Sequence, residues 1–79
     1  MLTPRKHLNL DVSVLRIAAL MLREIQRRGV IEFEKLRAFV LRRTGADGEI
    51  AFLPALDFLY LLGRAEFHLK NDTIEYKAN

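Results

Sequence analysis

The spacing of apolar residues divides the chain into three predicted helices followed by a pair of strands. Apolar side chains recur every three or four residues from Asp11 to Arg28 and again from Phe33 to Arg43, which is the spacing of one helix face. A third helix is predicted from Phe52 to Leu62, where almost every side chain is apolar. Pro54 suits its first turn, and Gly63 suits the left-handed residue just past its end.

The stretch after Gly63 predicts a two-stranded hairpin. Apolar and polar residues alternate there up to Lys70, and Asn71-Asp72 suits a two-residue turn because both residues tolerate positive φ. Such a turn predicts four cross-strand pairs: Leu69–Ile74, Phe67–Tyr76, His68–Glu75 and Glu66–Lys77. The first two pairs would share an apolar face, and the last two would form a polar face with complementary groups.

A short β-branched stretch, Val30-Ile31, is predicted to join the hairpin as a third strand. Three helices with such a sheet form a winged helix-turn-helix, a mainly α fold in which the C-terminal β-hairpin is the wing. Residues 44–48, which contain two glycines, are predicted as the loop before the third helix. Residues 1–10 are predicted as an N-terminal arm and residues 11–79 as a single winged-helix domain.

The first predicted helix carries an apolar face and an arginine stripe. Asp11 or Ser13 suits its N-cap, and Glu24 has the spacing to pair with Arg28. The apolar face is wider than one stripe, which indicates contact with the core and with another chain. Its members are Val14, Leu15, Ile17, Ala18, Met21, Leu22 and Ile25. The opposite side carries Arg16, Arg23 and Arg27, which form either a solvated face or a contact for phosphate or an acidic partner.

Composition limits the class of protein more than its function. The 79 residues make one small domain, and the 51% apolar fraction excludes a disordered chain. A net charge of +3 permits contact with nucleic acid without requiring it. Cysteine is absent, which excludes disulfides and thiolate metal sites and favours the cytoplasm. No apolar run is long enough for a membrane span, and no secretory signal is predicted.

Catalysis is not predicted, because the reactive side chains do not converge. His7 lies in the predicted arm, His68 lies on the hairpin, and neither has a partner at metal-ligand spacing. Ser13 is the only serine and suits a helix cap. The carboxylates of the C-terminal half are scattered over helix, strand and turn: Asp57, Glu66, Asp72 and Glu75. We therefore expect no enzymatic activity, no metal and no cofactor.

The outward side of the third helix favours a protein partner over DNA. With Leu56, Leu59 and Leu62 in the core, the outward residues are Leu53, Asp57, Tyr60 and Leu61. A DNA-reading winged helix presents polar side chains to base edges at this position, and this helix has none. We predict that the four outward residues form a protein interface and that the chain forms a homodimer.

Two alternative functions remain open at this point. One is a small DNA-binding regulator that mainly contacts the phosphate backbone, because basic residues lie elsewhere on the chain. The candidate contacts are Arg16, Arg23, Arg27, Arg64 and Lys70. The other is an inhibitor or antitoxin-like protein that occupies a groove of its partner.

Five segments carry a resemblance to a known family: Arg27 to Ile31, Gly45 to Gly48, Phe52 to Leu56, Leu61 to Arg64, and Leu69 to Thr73. From about Leu8 to Lys77 the chain resembles the middle components of bacterial ABC-three-component systems. The resemblance implies a non-enzymatic adaptor or assembly subunit that works with an ABC-type ATPase and a further, effector-like protein. It also implies a role in bacterial conflict or defence, and it contains no catalytic residues to carry over.

Overall fold

The described residues of a computed structural model are 4–78, and the described side chains are those of residues 10–78. Three helices and three short strands form a mainly helical fold with a C-terminal wing, which confirms the predicted fold class. The elements are α1 (Pro4–Arg28), β1 (Val30–Glu32), α2 (Phe33–Thr44), α3 (Ala46–Leu61), β2 (Ala65–His68) and β3 (Thr73–Tyr76).

The first helix begins earlier than predicted. Helix α1 starts at Pro4, so a cap at Asp11 or Ser13 is wrong, and the backbone from Pro4 to Leu10 is helical. Proline is favoured at the first helical position, because its missing N–H would have no partner there in any case. Residues 1–3 of the predicted arm lie outside the described residues. The division into residues 1–10 and 11–79 stays a prediction.

The predicted loop between the second and third helices is wrong. One residue, Gly45, lies between α2 and α3, and its positive φ of 64° favours glycine. Its N–H donates to the Leu41 carbonyl at 2.8 Å, which closes α2. Gly48 lies inside α3 and is buried against α2, where a Cβ would stand 1.9 Å from Thr44 Oγ1. Gly48 therefore allows close helix packing.

Helix α3 starts at Ala46 and ends at Leu61, so Pro54 and Leu62 do not have the roles predicted for them. Pro54 lies inside α3 and not in its first turn, so the Ile50 carbonyl lacks the N–H that a non-proline residue would offer. Helix α3 ends at Leu61, and Leu62 is exposed although it was predicted as a core residue. Leu56 and Leu59 are buried as predicted.

The wing, formed by β2 and β3, joins β1 in a three-stranded antiparallel sheet of order β1-β3-β2, which confirms the third strand at Val30-Ile31. The predicted hairpin register is wrong by two residues. The paired positions are Ala65–Tyr76, Glu66–Glu75, Phe67–Ile74 and His68–Thr73. The connection is a four-residue turn over positions 69–72, and of the two predicted turn residues Asp72 adopts a positive φ, of 56°.

A register error of two residues preserves the face of each strand side chain. The predicted partners His68 and Glu75 therefore still meet diagonally, with His68 Nε2 2.7 Å from Glu75 Oε1. Lys77 Nζ likewise lies 3.1 Å from Glu66 Oε1. Leu69 is the exception, because it lies in the turn with 84% of its surface exposed instead of pairing with Ile74.

The core lies where α1 packs on α3 and where both meet α2 and the sheet. Phe33 connects α3 and the sheet within this core. Its ring centroid lies 5.5 Å from that of Phe52 in α3 and 6.3 Å from that of Phe67 in β2. Leu15 was predicted on the apolar face of α1 and is exposed instead. Among the described residues, no helix is both long and apolar enough to cross a membrane.

Candidate protein-interaction surfaces

The outward side of α3 is an exposed apolar strip. Ile50 is 66% exposed, Leu53 60% and Leu61 85%, and the exposed Pro54 and Asp57 lie between them. Positions 50, 54, 57 and 61 follow helical spacing and therefore line up on one side, over about 16 Å. We call these five residues the outer stripe.

The structure places three of the four predicted interface residues together on this surface. Leu53, Asp57 and Leu61 belong to the outer stripe, and Tyr60 lies half-buried beside it. Burial, and then the negative charge of Asp57, raise the pKa of Tyr60, so its phenol stays neutral at physiological pH. Ile50 was missed because the helix was predicted to start after it.

The charge of α3 is unfavourable for DNA. The helix carries three acidic residues, Asp47, Glu49 and Asp57, and no basic residue. A helix in the major groove lies between two rows of phosphates, which would repel these carboxylates. The prediction that α3 does not read bases therefore gains a second physical reason beyond its lack of polar base-reading side chains.

Two of the predicted arginine contacts line a groove between α1 and the α2–α3 junction. Arg16 and Arg23 stand on the α1 side, and Arg43 and Asp47 stand on the other side. The volume of this arginine groove is about 480 Å³. Arg43 was missed in the sequence, although its position in the last turn of α2 follows from the helix length. Of the other predicted contacts, Arg64 and Lys70 are exposed and do not line this groove.

Arg27 is engaged by a neighbouring carboxylate. Its Nη2 donates to Glu24 at 2.9 Å and its Nε at 3.2 Å, while Arg28 Nε donates to the same carboxylate at 2.9 Å. The predicted Glu24–Arg28 pair is therefore confirmed, with Arg27 as a second partner. The hydrogen bonds from Arg27 and then Arg28 lower the pKa of Glu24, against the opposing effect of burial.

The polar face of the wing brings together three side chains of types that can bind a metal ion. Single ligand atoms of Glu66, His68 and Glu75 lie within 4.8 Å of one another. These groups already have partners, because Lys77 bonds Glu66 and His68 bonds Glu75. Lys77 lowers the pKa of Glu66, and Glu66 raises the pKa of Lys77. A cation would have to displace the Lys77 ammonium, so the cluster is explained by cross-strand pairing.

Comparison with protein families finds a match over residues 29–77, which is more than half of the chain. The description of the matched family is "ABC-three component (ABC-3C) system Middle Component 8". The match includes β1, α2, α3 and the wing, and therefore the whole outer stripe. Neither a curated protein nor a solved structure matches the chain significantly. The matched family is the one that the five sequence segments predicted.

Proposed function

We propose that this chain, which belongs to the Middle Component 8 family of ABC-three-component systems, is a non-enzymatic adaptor subunit that assembles protein partners through apolar helix faces. Membership of a three-component system implies protein partners. The partners that we propose are an ABC-type ATPase, a further subunit and a second copy of this chain. A cytoplasmic location and a role in bacterial conflict or defence belong to the same proposal.

The observation that carries the proposal is the outer stripe of α3. Its three large aliphatic side chains, Ile50, Leu53 and Leu61, remain exposed while the opposite side of the same helix fills the core. A contiguous exposed apolar strip of this kind is typical of a protein interaction site. Covering it would gain hydrophobic free energy of about 25 cal/mol for each Å² of apolar surface removed from water.

Asp57 sets a chemical requirement on whatever covers the stripe. It lies among the aliphatic residues, so a partner that buries them also desolvates the Asp57 carboxylate. A buried unpaired charge costs several kcal/mol, on the order of the free energy of a whole small interface. The partner is therefore expected to present a lysine, an arginine or a hydrogen-bond donor opposite Asp57, which makes the contact selective.

The alternative function is a small winged-helix DNA-binding regulator with mainly phosphate contacts. It is supported by Arg16 and Arg23, which are exposed on α1, and it is opposed by the acidic residues of α3. Titrating binding to a DNA duplex against salt concentration would test it. Tight binding with a steep salt dependence, weakened in Arg16→Ala and Arg23→Ala, would favour the regulator over the adaptor.

The adaptor proposal is tested by Leu61→Glu, with Leu69→Glu as its matched control. Both leucines are almost fully exposed, at 85% and 84%, but only Leu61 lies on the outer stripe. We expect the wild-type chain to sediment as a dimer or larger at micromolar concentration and to bind the ABC-type ATPase that we propose as its partner. Leu61→Glu should weaken association about tenfold or more, and Leu69→Glu should leave it unchanged.

Both variants should keep the wild-type free energy of unfolding within about 0.5 kcal/mol, as expected for surface substitutions. A wild-type chain that sediments as a clean monomer would contradict self-association. A failure to bind the ATPase as well would contradict the adaptor function. If Leu61→Glu instead unfolds the domain, Leu61 is a core residue and the stripe is assigned to the wrong side of α3.

A further inference from the structure

The arginine groove is a second surface, separate from the outer stripe. One wall is α1, where Arg16 and Arg23 stand two helical turns apart, or about 10 Å along the axis. Arg43, at the end of α2, faces them from the other wall, with Asp47 of α3 beside it. The groove shares no residue with the outer stripe, so a ligand of one surface need not cover the other.

The three groove arginines are not neutralised by the residues around them. Within residues 10–78, the ion pairs join Glu24 to Arg27 and Arg28, and join the polar residues of the wing to one another. None of these pairs includes Arg16, Arg23 or Arg43, and Asp47 is the one carboxylate in the groove lining. The lining therefore has an excess positive charge, which favours an anionic ligand.

Part of the groove lining is apolar. Ile17, Ala19 and Leu20 of α1 belong to it, and Ala19 leaves space because its side chain is a single methyl group. At about 480 Å³ the groove has the volume of an ordinary ligand cleft. A ligand that uses both features must carry negative charge together with apolar groups, and it must extend along α1.

One of the arginines is already held in position. The Arg43 guanidinium carbon lies 4.8 Å from the centre of the Phe39 ring, a cation–π contact that restricts the side chain. A guanidinium held in this way can donate two parallel hydrogen bonds to one carboxylate, and less side-chain entropy is lost on binding. Carboxylates are therefore suitable anions for this groove.

We propose that the arginine groove binds an acidic, amphipathic segment of a protein partner, whose carboxylates pair with Arg16, Arg23 and Arg43. Its apolar side chains pack on Leu20 and Ala19. The phosphates of a DNA duplex could pair with the arginines, but they carry no apolar groups to cover Ala19 and Leu20. Such a second surface lets one small chain hold two partners at once.

The test is a selection from a phage-displayed library of random peptides of about 16 residues, long enough as a helix to span the groove. The bait is the whole wild-type chain. We expect the selected peptides to be rich in Asp and Glu with Leu or Ile at helical spacing. A synthetic peptide of the selected sequence is then titrated against variants by fluorescence anisotropy.

Two kinds of variant separate the charge of the groove from its apolar lining. Arg43→Ala removes a positive charge, and Arg42→Ala is its matched control, because Arg42 is the exposed neighbour on α2 and does not line this groove. Ala19→Trp fills the apolar part of the groove without changing the charge. We expect Arg43→Ala and Ala19→Trp each to weaken peptide binding about tenfold, with Arg42→Ala unchanged. Circular dichroism of each variant checks that it is folded.

Three outcomes would overturn the inference. The first is a set of selected peptides without an excess of acidic residues. The second is binding that survives Arg43→Ala and Ala19→Trp but is lost in Leu61→Glu, which would leave the adaptor proposal standing with the outer stripe as its site. The third is DNA binding that depends on Arg16 and Arg23 and is unaffected by Ala19→Trp, with no peptide selected. Peptide binding that is retained in Leu61→Glu supports the groove even if the outer stripe proves to bind nothing.

Discussion

Helices α1 and α3 pack against each other, but they differ in how clearly their charged residues indicate the buried side. In α1 the buried side is apolar apart from Glu24, and Arg16, Arg23 and Arg27 mark the side that faces water. Leu15 is the exception, because it was predicted on the apolar side and is exposed. In α3 large apolar residues occupy both sides, and charge alone cannot say which side is buried. Helix α3 therefore has a second apolar side, which the fold leaves exposed.

The positions of the small residues distinguish the two sides of α3. The buried side contains the three smallest residues of the helix interior, Gly48, Ala51 and Ala55, which let neighbouring helices approach closely. The exposed side has large aliphatic residues instead, at Ile50, Leu53 and Leu61. Large apolar residues also occupy the buried side, at Phe52, Leu56 and Leu59, so it is the small residues that mark the side packing within the domain.

The largest expected effect comes from two adjacent residues on opposite sides of α3. Phe52 is 2% exposed and Leu53 is 60% exposed. Phe52→Ala should lower the free energy of unfolding by about 3–5 kcal/mol, since it leaves a cavity and removes an aromatic contact with Phe33. Leu53→Ala should change it by less than about 0.5 kcal/mol. Urea denaturation of both variants at low protein concentration measures the difference.

Low concentration matters because association through the outer stripe would itself stabilise the folded chain. If Leu53→Ala lost as much stability as Phe52→Ala in the monomer, the two sides of α3 would be equally buried. That result would remove the distinction between them and the basis of the proposed interface.

A smaller effect is expected at the contact between α2 and α3. Gly48→Ala places a Cβ where Thr44 Oγ1 now lies, and Thr44 Oγ1 donates to the Val40 carbonyl at 2.7 Å. The displacement should cost about 1–2 kcal/mol, even though alanine is intrinsically the better helix former. Thermal unfolding of Gly48→Ala, of Thr44→Ala and of the double variant measures it.

Thr44→Ala removes the atom nearest to the new methyl group, so the double variant should recover part of the loss. The direction of the stability change in Gly48→Ala alone also tests this explanation. If Gly48→Ala stabilises the domain, as it would on an exposed helix surface, close approach is not what the small residue provides.

The smallest effect concerns Glu24 on α1 and depends on pH. Its pKa in the folded chain is lowered, so its stabilising effect is present above its unfolded pKa and is lost as the pH falls through the folded pKa. Compared with Glu24→Gln, the wild type should be more stable by about 0.5–1 kcal/mol at pH 7. Urea denaturation of both chains at intervals down to pH 3 should show this difference shrinking below about pH 4.

The comparison with Glu24→Gln cancels the titration of the wing carboxylates, which both chains share. A difference that stays constant from pH 7 to pH 3 would mean that the Glu24 charge is not what Arg27 and Arg28 stabilise.

The fold could be predicted from the sequence wherever one pattern dominated. The change of period after Gly63 predicted the wing, and Val30-Ile31 predicted its third strand. The α2–α3 junction could not be predicted, because two glycines three residues apart are typical of a loop. Only the packing of Gly48 against Thr44 shows that one of them is a helical contact. The prediction of the hairpin register was wrong for a similar reason, since a four-residue turn preserves the same alternation as a two-residue turn.

The surfaces were predictable in part. Leu53, Asp57 and Leu61 follow from the helical period once Leu56 and Leu59 are placed in the core. Ile50 does not, because its exposure depends on where α3 begins. The arginine groove depends on tertiary structure, since Arg43 comes to face Arg16 and Arg23 only when α2 and α3 fold back on α1. Sequence spacing alone gives no signal of that approach.

The position of β3 between β1 and β2 affects how the chain can fold during synthesis. Strand β1 pairs with β3 through Ile31 and Ile74, so its hydrogen bonds wait until the intervening two helices and one strand have been made. Contacts between positions so far apart in sequence form slowly, because a long loop must close first. On the ribosome, both apolar sides of α3 are therefore expected to emerge before the sheet closes. A chaperone, or the proposed partner of the outer stripe if it binds during synthesis, would protect the nascent chain from aggregation during that interval.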